Sequence, residues 1–164
     1  METELHIVLH EPEIPQNTGN IVRTCAALGA VLDLVEPLGF RLEDRYLKRA
    51  GLDYWPLVDL RRHRSLDAFF AAYPDGEFFY VSKKAARSCA DTDFPARAFF
   101  LFGKETLGLP ESLLAAHPER CIRIPMRAEA RSLNLSNAAA IIAYEFLRRR
   151  GFPGLEKSAP PGPA

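Results

Sequence analysis

The sequence predicts an α/β fold with a mostly parallel sheet and helices on both faces. Short apolar runs alternate with segments of helical periodicity, an order that is typical of strand–helix–strand units. Residues 78–81 and 98–102 are apolar and aromatic throughout, which is typical of strands covered on both faces of a parallel sheet. Gly29 and Gly51 each follow a helical segment, at positions where glycine favours a stop.

The individual elements follow in chain order from their composition. Asn17 or Thr18 can cap the first helix, Ser65 can cap the third, and Pro110 fits the first turn of the fourth. The predicted strands span residues 6–10, 31–35, 57–60, 78–81, 98–102 and 121–124. The predicted helices span residues 17–28, 44–50, 65–72, 110–116 and 138–147.

The composition is that of one ordinary globular domain. A chain of 164 residues is long enough to bury a core, and we expect one domain over residues 1–155 and a Pro-rich flexible tail over residues 156–164. The formal net charge is zero, which gives no support of its own for a nucleic-acid partner. Basic clusters do occur, and each alone is best interpreted as a solvated surface. They lie at residues 41–49, 61–64, 83–87 and 148–150.

The cysteines and histidines exclude several classes of site. Cys25, Cys89 and Cys121 are widely spaced and form neither a CxxC pair nor an even disulfide framework, so we expect a cytoplasmic protein. No signal peptide and no apolar run of membrane-spanning length is present, so secretion and membrane spanning are not expected. The four histidines lack zinc-ligand spacing and there is no HExxH, so no metal site is predicted.

Three unusual loops follow predicted strands, at residues 11–17, 103–110 and 125–134. In a parallel sheet the carboxyl ends of the strands meet at one edge, which is where such folds bind ligands. The common placement of the loops therefore predicts a site at that edge.

Each loop also has a plainer interpretation. Asn17, Asn20 and Arg23 recur at a spacing of three and can bind an anion or a ribose, although a capped surface helix explains them equally well. Gly103 and Gly108 permit close approach of a ligand to the backbone, yet for this loop alone a simple strand–helix turn is favoured. No phosphate-loop, dinucleotide-binding or GxSxG hydrolase pattern is present.

The third loop leads into a polar stretch, residues 131–137. A helix N-terminus needs one capping side chain, and an elaborate cap is the plainer interpretation of this stretch. It contains more short hydrogen-bonding side chains than a cap requires, which suggests a backbone folded around a polar ligand. These side chains are Ser132, Asn134, Ser136 and Asn137.

Taken together, these segments resemble the motifs of the SPOUT (SpoU–TrmD) RNA methyltransferases. The patterns run in the order of the SpoU branch: Asn17-x-Gly-Asn-x-x-Arg23, Phe102-Gly-x-Glu-x-x-Gly-Leu109, and Ile124-Pro-Met126 followed by Ser132-Leu-Asn-Leu-Ser-Asn-Ala138. Lys104 and Leu107 stand where that pattern has Pro and Arg. Further stretches, at residues 11–15, 36–40 and 49–54, are similar to the TrmL group of tRNA 2′-O-methyltransferases, which act at wobble nucleotide 34. The resemblance covers residues 4–155.

The resemblance implies a function and a set of functional residues. It implies S-adenosylmethionine as methyl donor, S-adenosylhomocysteine as product, no metal, and the tRNA anticodon stem-loop as substrate. It also implies a C-terminal trefoil knot and a homodimer with its active sites at the interface. The implied cofactor-binding residues are Val81, Gly103, Ile124, Met126, Ser132 and Leu133. The implied substrate-binding residues are Asn17, Glu105 and Asn134, and the implied catalytic residue is Arg23.

The implied reaction is an in-line attack by a ribose 2′-hydroxyl on the sulfonium methyl group, which is largely a task of orientation. The family assigns an arginine at the position of Arg23 as general base, but arginine keeps its proton in proteins. We therefore expect Arg23 to hold a phosphate or to stabilise the developing alkoxide. Within residues 131–137 we expect Ser132 and Leu133 to face the methyl donor and Asn134 to reach toward the other motifs and the RNA. Ser136 or Asn137 is then left as the helix cap.

Three other functions remain open. The first is methylation of ribosomal RNA or of another tRNA position, against which the lack of an added RNA-binding domain argues. The second is a catalytically idle knotted dimer that binds RNA, against which the intact motif residues argue. The third is an ordinary α/β nucleotide-binding protein, against which the missing phosphate-loop patterns argue.

Overall fold

The structure, a computed structural model, describes residues 2–162 except for the side chain of residue 52. Seven strands lie in this part of the chain: β1 Glu4–His10, β2 Val31–Val35, β3 Asp59–His63, β4 Phe78–Val81, β5 Arg87–Ser88, β6 Arg97–Phe102 and β7 Cys121–Arg123. They form one sheet in the order β3-β2-β1-β6-β4-β7-β5, and every neighbouring pair is parallel. The carboxyl ends of β1, β6, β4 and β7 are therefore neighbours at one edge.

Helices cover both faces of the sheet. They are α1 Pro15–Leu28, α2 Arg45–Gly51, α3 Leu66–Ala72, α4 Glu111–Ala116 and α5 Leu135–Arg148. Successive residues of a strand point to opposite faces, so Ile7 packs in the core beneath α1 and α5, whereas Val8 packs in the core beneath α3 and α4. The predicted fold class, a mostly parallel α/β sheet with helices on both faces, is confirmed.

Two strands differ from their predicted positions. The strand expected at residues 57–60 lies instead at Asp59–His63, because residues 52–57 form a 3₁₀ helix that contains Pro56. This strand is at the edge of the sheet and carries arginine and histidine, so apolar periodicity does not reveal it. The two-residue strand Arg87–Ser88 at the opposite edge was not predicted.

The N-termini of two helices also differ from prediction. Helix α1 begins at Pro15, and both Asn17 and Thr18, the predicted caps, lie buried inside its first turns. Its N-cap residue, Ile14, has no side chain that could accept a hydrogen bond. Helix α5 begins at Leu135, three residues before the predicted start, and its cap is Asn134 rather than Ser136 or Asn137.

Side chains on β1, β2 and β3 form a buried polar network on the face covered by α3. The carboxylate of Asp33 accepts hydrogen bonds from His6 Nδ1 at 2.7 Å, His63 Nε2 at 2.7 Å and the Tyr73 hydroxyl at 2.8 Å. His6 also lies 2.8 Å from Glu4 and stacks on Phe99. Burial raises the pKa of Asp33, but the hydrogen bonds from the two histidines and Tyr73 outweigh it and leave the pKa below its ordinary value.

The end of the chain packs on the core as far as Leu155. Phe152 and Leu155 lie against the cluster that α5 covers, whereas residues 156–162 contain no helix or strand. The domain boundary at residue 155 stays a prediction. In the described residues, no helix is both long enough and apolar enough to cross a membrane.

Candidate active site

A pocket of about 650 Å³ lies at the carboxyl edge of the sheet. Its walls come from the loops that follow β1, β4, β6 and β7, together with the first residues of α1 and α5. Its volume is in the range of small-molecule sites, and it lies where parallel sheets bind ligands. The pocket therefore lies at the edge where the sequence predicts a site, and its role as the functional site stays a prediction.

Nine of the ten residues predicted for the site line this pocket. They are Asn17, Val81, Gly103, Glu105, Ile124, Met126, Ser132, Leu133 and Asn134. Their positions come together because each motif follows the end of one of four neighbouring strands or opens the helix after it. Arg23 is the exception, since it is exposed on α1 and does not line the pocket of its own chain.

Glu105 substitutes for the missing cap of α1. Its carboxylate accepts hydrogen bonds from the backbone N–H of Glu13 at 2.8 Å, the backbone N–H of Ile14 at 3.1 Å and Asn17 Nδ2 at 3.3 Å. A carboxylate is favoured at this position by the positive end of the helix dipole. The loop after β6 is thereby fixed to the N-terminus of a helix about ninety residues earlier in the sequence.

Asn134 links the third motif to the same network. Its Oδ1 caps α5 by accepting from the backbone N–H of Ser136 at 2.9 Å and of Asn137 at 3.2 Å. Its Nδ2 donates to Asn17 Oδ1 at 3.0 Å, and Asn17 in turn donates to Glu105. Because each amide accepts on one side and donates on the other, the chain of bonds has a single direction that fixes both amide orientations. One side chain thus combines the two functions that sequence reasoning gave to different residues.

The loop after β6 folds tightly back on itself. Lys104 and Gly108 form an antiparallel bridge, and Gly108 has a φ of 71°, which favours glycine. A Cβ on Gly103 would lie 1.9 Å from the Gly108 carbonyl carbon, so only glycine fits there. Lys104 is 2.8 Å from Glu11, and its hydrogen bond to that carboxylate holds the pKa of Glu11 below its ordinary value. Leu107 projects from the tip of the loop and is 79% exposed.

Arg23 lies about two turns beyond Asn17 on α1. Its guanidinium carbon is 5.3 Å from the ring centre of Tyr54, in the 3₁₀ helix that follows α2. Helix α2 can approach α1 closely because residue 19 is glycine, since a Cβ there would lie 2.4 Å from the Cβ of Ala50. Arg23 is therefore grouped with α2 and the segment after it rather than with the pocket.

The basic cluster at residues 148–150 was interpreted as a solvated surface, which is wrong for two of its three members. Arg149 donates to the carbonyl oxygens of Cys89, Ala90 and Thr92. Arg150 donates to the carbonyl oxygens of Phe94, Pro95 and Phe146. Both guanidinium groups therefore hold the segment around residues 89–95 against the end of α5.

Sequence reasoning also missed part of the pocket wall. Ser82, Lys83 and Lys84, which follow β4, line the pocket. The only signal was the pair of lysines at the end of a predicted strand, and it was interpreted as part of a basic cluster. In the described residues, no three His, Cys, Asp or Glu side chains are grouped so that they could hold a metal ion.

A model of the SpoU rRNA methylase family matches residues 4–144. The chain belongs to the SpoU methylase family. It is 45% identical to the tRNA (cytidine(34)-2′-O)-methyltransferase of Escherichia coli, over 92% of this chain and 96% of that protein.

Solved SpoU structures share the fold. A structure described as giving insights into the 2-OH methylation of C/U34 on tRNA superposes with a TM-score of 0.87 at 48% identity, over 91% of this chain and 97% of that one. The SpoU methyltransferase AviRb of Streptomyces viridochromogenes, solved with the cofactor AdoMet, superposes with a TM-score of 0.78 at 28% identity, over 92% of this chain and 59% of that one. The predicted membership of the SpoU branch is confirmed.

The pocket residues fit an adenosyl cofactor. Val81, Ile124 and Leu133 give apolar surface of the kind that an adenine ring requires, and glycine at position 103 lets the loop after β6 fold back tightly to form one wall. Ser132 and Lys83 add polar groups to the same walls.

Proposed function

We propose that this protein transfers a methyl group from S-adenosylmethionine to the ribose 2′-hydroxyl of nucleotide 34, a cytidine or a modified uridine, in tRNA. The observation that carries the proposal is that eight motif residues from three distant segments line one pocket together with Val81. The activity named for the Escherichia coli relative supports this choice of substrate, as does the described subject of the 48% identical structure. The AdoMet-bound SpoU structure supports the choice of methyl donor.

The mechanism needs orientation more than acid–base chemistry. Bound S-adenosylmethionine supplies an electrophilic sulfonium methyl group, and no metal ion is required. Val81, Gly103, Ile124, Met126, Ser132 and Leu133 hold the donor. The linked side chains of Asn17, Glu105 and Asn134 would keep the loops after β1, β6 and β7 at a fixed separation and so help to orient the donor and the ribose.

Arg23 is the proposed catalytic residue. Its position bears on which chain of a dimer contributes it to a given pocket. Arg23 is exposed and absent from the pocket lining of its own chain, which supports an arrangement in which a second copy brings its Arg23 to the pocket. We therefore include a homodimer with composite sites in the proposal. The guanidinium would then hold a phosphate of the RNA and stabilise the developing alkoxide. The ribose oxygen would bond to the methyl carbon as the carbon–sulfur bond breaks, and the hydroxyl proton would pass to solvent water. The trefoil knot over the C-terminal segment and a cytoplasmic location belong to the same proposal.

Methyl transfer to bulk tRNA tests the reaction. The protein is incubated with labelled S-adenosylmethionine and bulk tRNA, and the modified nucleotide is mapped. We expect a 2′-O-methyl group at position 34. A methyl group at another tRNA position, or transfer to ribosomal RNA in a parallel reaction, would mean that the proposed substrate is wrong. No transfer together with no calorimetric binding of S-adenosylhomocysteine would overturn the proposal.

Complementation between two inactive variants tests the composite site. Arg23→Ala removes the catalytic group, and Ser132→Trp fills the pocket from an exposed position of its wall. Co-expressed in equal amounts with different tags, the two chains should recover about a quarter of wild-type activity if Arg23 acts across a two-fold dimer. No recovery would mean that Arg23 serves the pocket of its own chain, because mixed dimers would then contain no complete site.

A further inference from the structure

The four basic clusters of the sequence are not equivalent in the folded chain. Arg61 and Arg62 pair with Asp59 and Glu36, and Lys84 pairs with Glu111. Arg148 pairs with Glu145, and its two neighbours donate to backbone carbonyls. Arg64, Lys83 and Arg87 also form no ion pair among the described residues, but the cluster at residues 41–49 is the one there in which every cation is exposed and has no carboxylate within ion-pair distance. Its cations are Arg41, Arg45, Lys48 and Arg49.

The acidic residues of this segment leave its cations free. Asp44 uses its carboxylate to cap α2, accepting from the backbone N–H of Tyr46 at 2.8 Å and of Leu47 at 3.4 Å. Glu43 and Asp53 are exposed and form no ion pair in the part of the chain that the structure describes. Tyr46, itself 44% exposed, lies beneath the Arg45 guanidinium, whose carbon is 4.8 Å from the ring centre. Exposed cations interleaved with an aromatic ring are the groups that bind a flexible RNA strand.

The position of α2 relative to Arg23 decides which RNA this surface meets. Gly19 brings α2 against α1, and Arg23 lies one turn further along α1, over Tyr54. We propose that Arg41, Arg45, Lys48, Arg49 and Tyr46, here named the α2 surface, bind the phosphate backbone of the RNA whose ribose Arg23 serves. This inference rests on the proposed function, because it assigns part of the substrate to a surface outside the pocket.

Two triple variants of equal charge test the α2 surface. The first carries Arg45→Gln, Lys48→Gln and Arg49→Gln. The control carries Arg62→Gln, Arg64→Gln and Arg148→Gln, which are also exposed and remove the same three charges elsewhere. Binding of fluorescently labelled bulk tRNA is measured between 50 and 200 mM salt without any methyl donor. The plot of log affinity against log salt has a negative slope. Relative to the wild type, the magnitude of this slope should decrease by about two in the first triple and by less than about 0.5 in the control.

The outcomes separate this inference from the proposed function. Equal slopes in the two triples, or no tRNA binding by the wild type, would overturn the α2 surface. A wild type that binds tRNA through the α2 surface but transfers no methyl group would leave the surface in place and overturn the proposed reaction. Thermal unfolding of both triples shows whether either substitution set disturbs the fold.

A second inference comes from the corner between α2 and the following 3₁₀ helix. A Cβ on Gly51 would lie 2.6 Å from Trp55 Nε1, so glycine at this position lets the indole fold back on α2 and donate to the Lys48 carbonyl at 3.4 Å. This corner presents the ring of Tyr54 to Arg23. We infer that Tyr54 is a positioning residue, which fixes the direction of the Arg23 side chain through a cation–π contact. This inference too rests on the proposed role of Arg23.

A ring-preserving and a ring-removing variant test Tyr54. Tyr54→Phe should keep kcat within about twofold, whereas Tyr54→Leu should lower kcat at least about fivefold at an unchanged KM for tRNA. In the NMR spectrum, the ring-current shift of the Arg23 Hε resonance should persist in Tyr54→Phe and disappear in Tyr54→Leu. A Leu variant with wild-type kcat, or one that keeps the Arg23 shift, would overturn the inference. The NMR readout does not depend on methyl transfer, so it separates this failure from failure of the proposed reaction.

Discussion

The network of Asn17, Glu105 and Asn134 and the network around Asp33 are both built from side-chain hydrogen bonds, but they lie in different surroundings. Asp33 is fully buried between β1, β3 and α3, and the atoms that contact its carboxylate belong to strands and to the end of a helix. Asn134 is exposed at the edge of the pocket, and its partners belong to loops and helix N-termini.

The difference predicts what each network contributes. A buried carboxylate with three donors stabilises the folded state strongly, because removing it leaves polar groups without partners in a medium that solvates them poorly. Disruption of a half-exposed network costs less stability, because water can replace the missing hydrogen-bond partner. Such a network instead determines where loops lie. Substitutions in the Asp33 network should therefore change stability alone, and substitutions in the pocket network should change binding and catalysis at a modest cost in stability.

The largest expected effect is that of Asp33→Ala. Loss of the carboxylate leaves His6, His63 and Tyr73 without a shared acceptor, so the free energy of unfolding should fall by about 3–5 kcal/mol. Denaturant unfolding measures this, with the exposed Asp75→Ala as control, which should change stability by less than about 0.5 kcal/mol. The affinity of the folded variant for S-adenosylhomocysteine should equal that of the wild type. A large loss of affinity for S-adenosylhomocysteine at unchanged stability would mean that the Asp33 network contributes to binding and not to stability.

Glu105→Gln should have the next largest effect. One oxygen of the carboxylate is replaced by an NH₂ group, which cannot accept, so either the Glu13 N–H loses its acceptor or the Ile14 N–H and Asn17 Nδ2 lose theirs. Loss of a hydrogen bond to a charged group costs about 1.5–3 kcal/mol in stability. Because the loop after β6 then loses its anchor, the Kd for S-adenosylhomocysteine should rise about tenfold, equivalent to about 1.4 kcal/mol. Glu119→Gln, at an exposed position, is the matched control, and an equal Kd in the two variants would contradict the assignment.

The pH dependence of stability isolates the charge on Asp33. Its pKa is depressed in the folded state, so its contribution is present above the unfolded pKa of about 3.9 and is lost as the pH falls below it. The difference in unfolding free energy between wild type and Asp33→Asn should be constant from pH 7 to about pH 5 and should narrow below about pH 4. Chemical denaturation at each pH gives this difference. A gap that narrows as the pH rises toward 7 would mean that the network is held by a different ionised group.

The predicted grouping of the three motif loops at one edge followed from topology. The three motif loops were expected at one edge because strands in a parallel sheet end together, and the sheet order places β1, β6, β4 and β7 side by side. Arg23 shows the limit of the same reasoning. Its spacing from Asn17 and Asn20 describes positions on a helix but not what the helix packs against, and only the contact of α2 at Gly19 reveals its surroundings.

Long-range hydrogen bonds explain the other differences. Arg149 and Arg150 donate to carbonyl groups more than fifty residues away, and no local pattern in the sequence identifies those acceptors. The cap of α1 is equally non-local, because Glu105 supplies it from another loop. In residues 131–137 several side chains satisfy the capping pattern, so the sequence could not decide which of them α5 uses. Asn134 is selected because its amide can cap the helix and still reach Asn17.

The smallest expected effects separate the two functions of Asn134. Asn134→Ser keeps an oxygen that can cap α5 but removes the donor to Asn17, so it should lower methyl transfer while stability changes by only a few tenths of a kcal/mol. Asn134→Ala removes both groups and should cost about 1 kcal/mol in addition to the lost activity. Ser136→Ala should cost less than about 0.5 kcal/mol, because its backbone N–H keeps its acceptor. If Asn134→Ser were as active as the wild type, the contact to Asn17 would have no part in catalysis, and the pocket network would resemble the buried one in contributing stability alone.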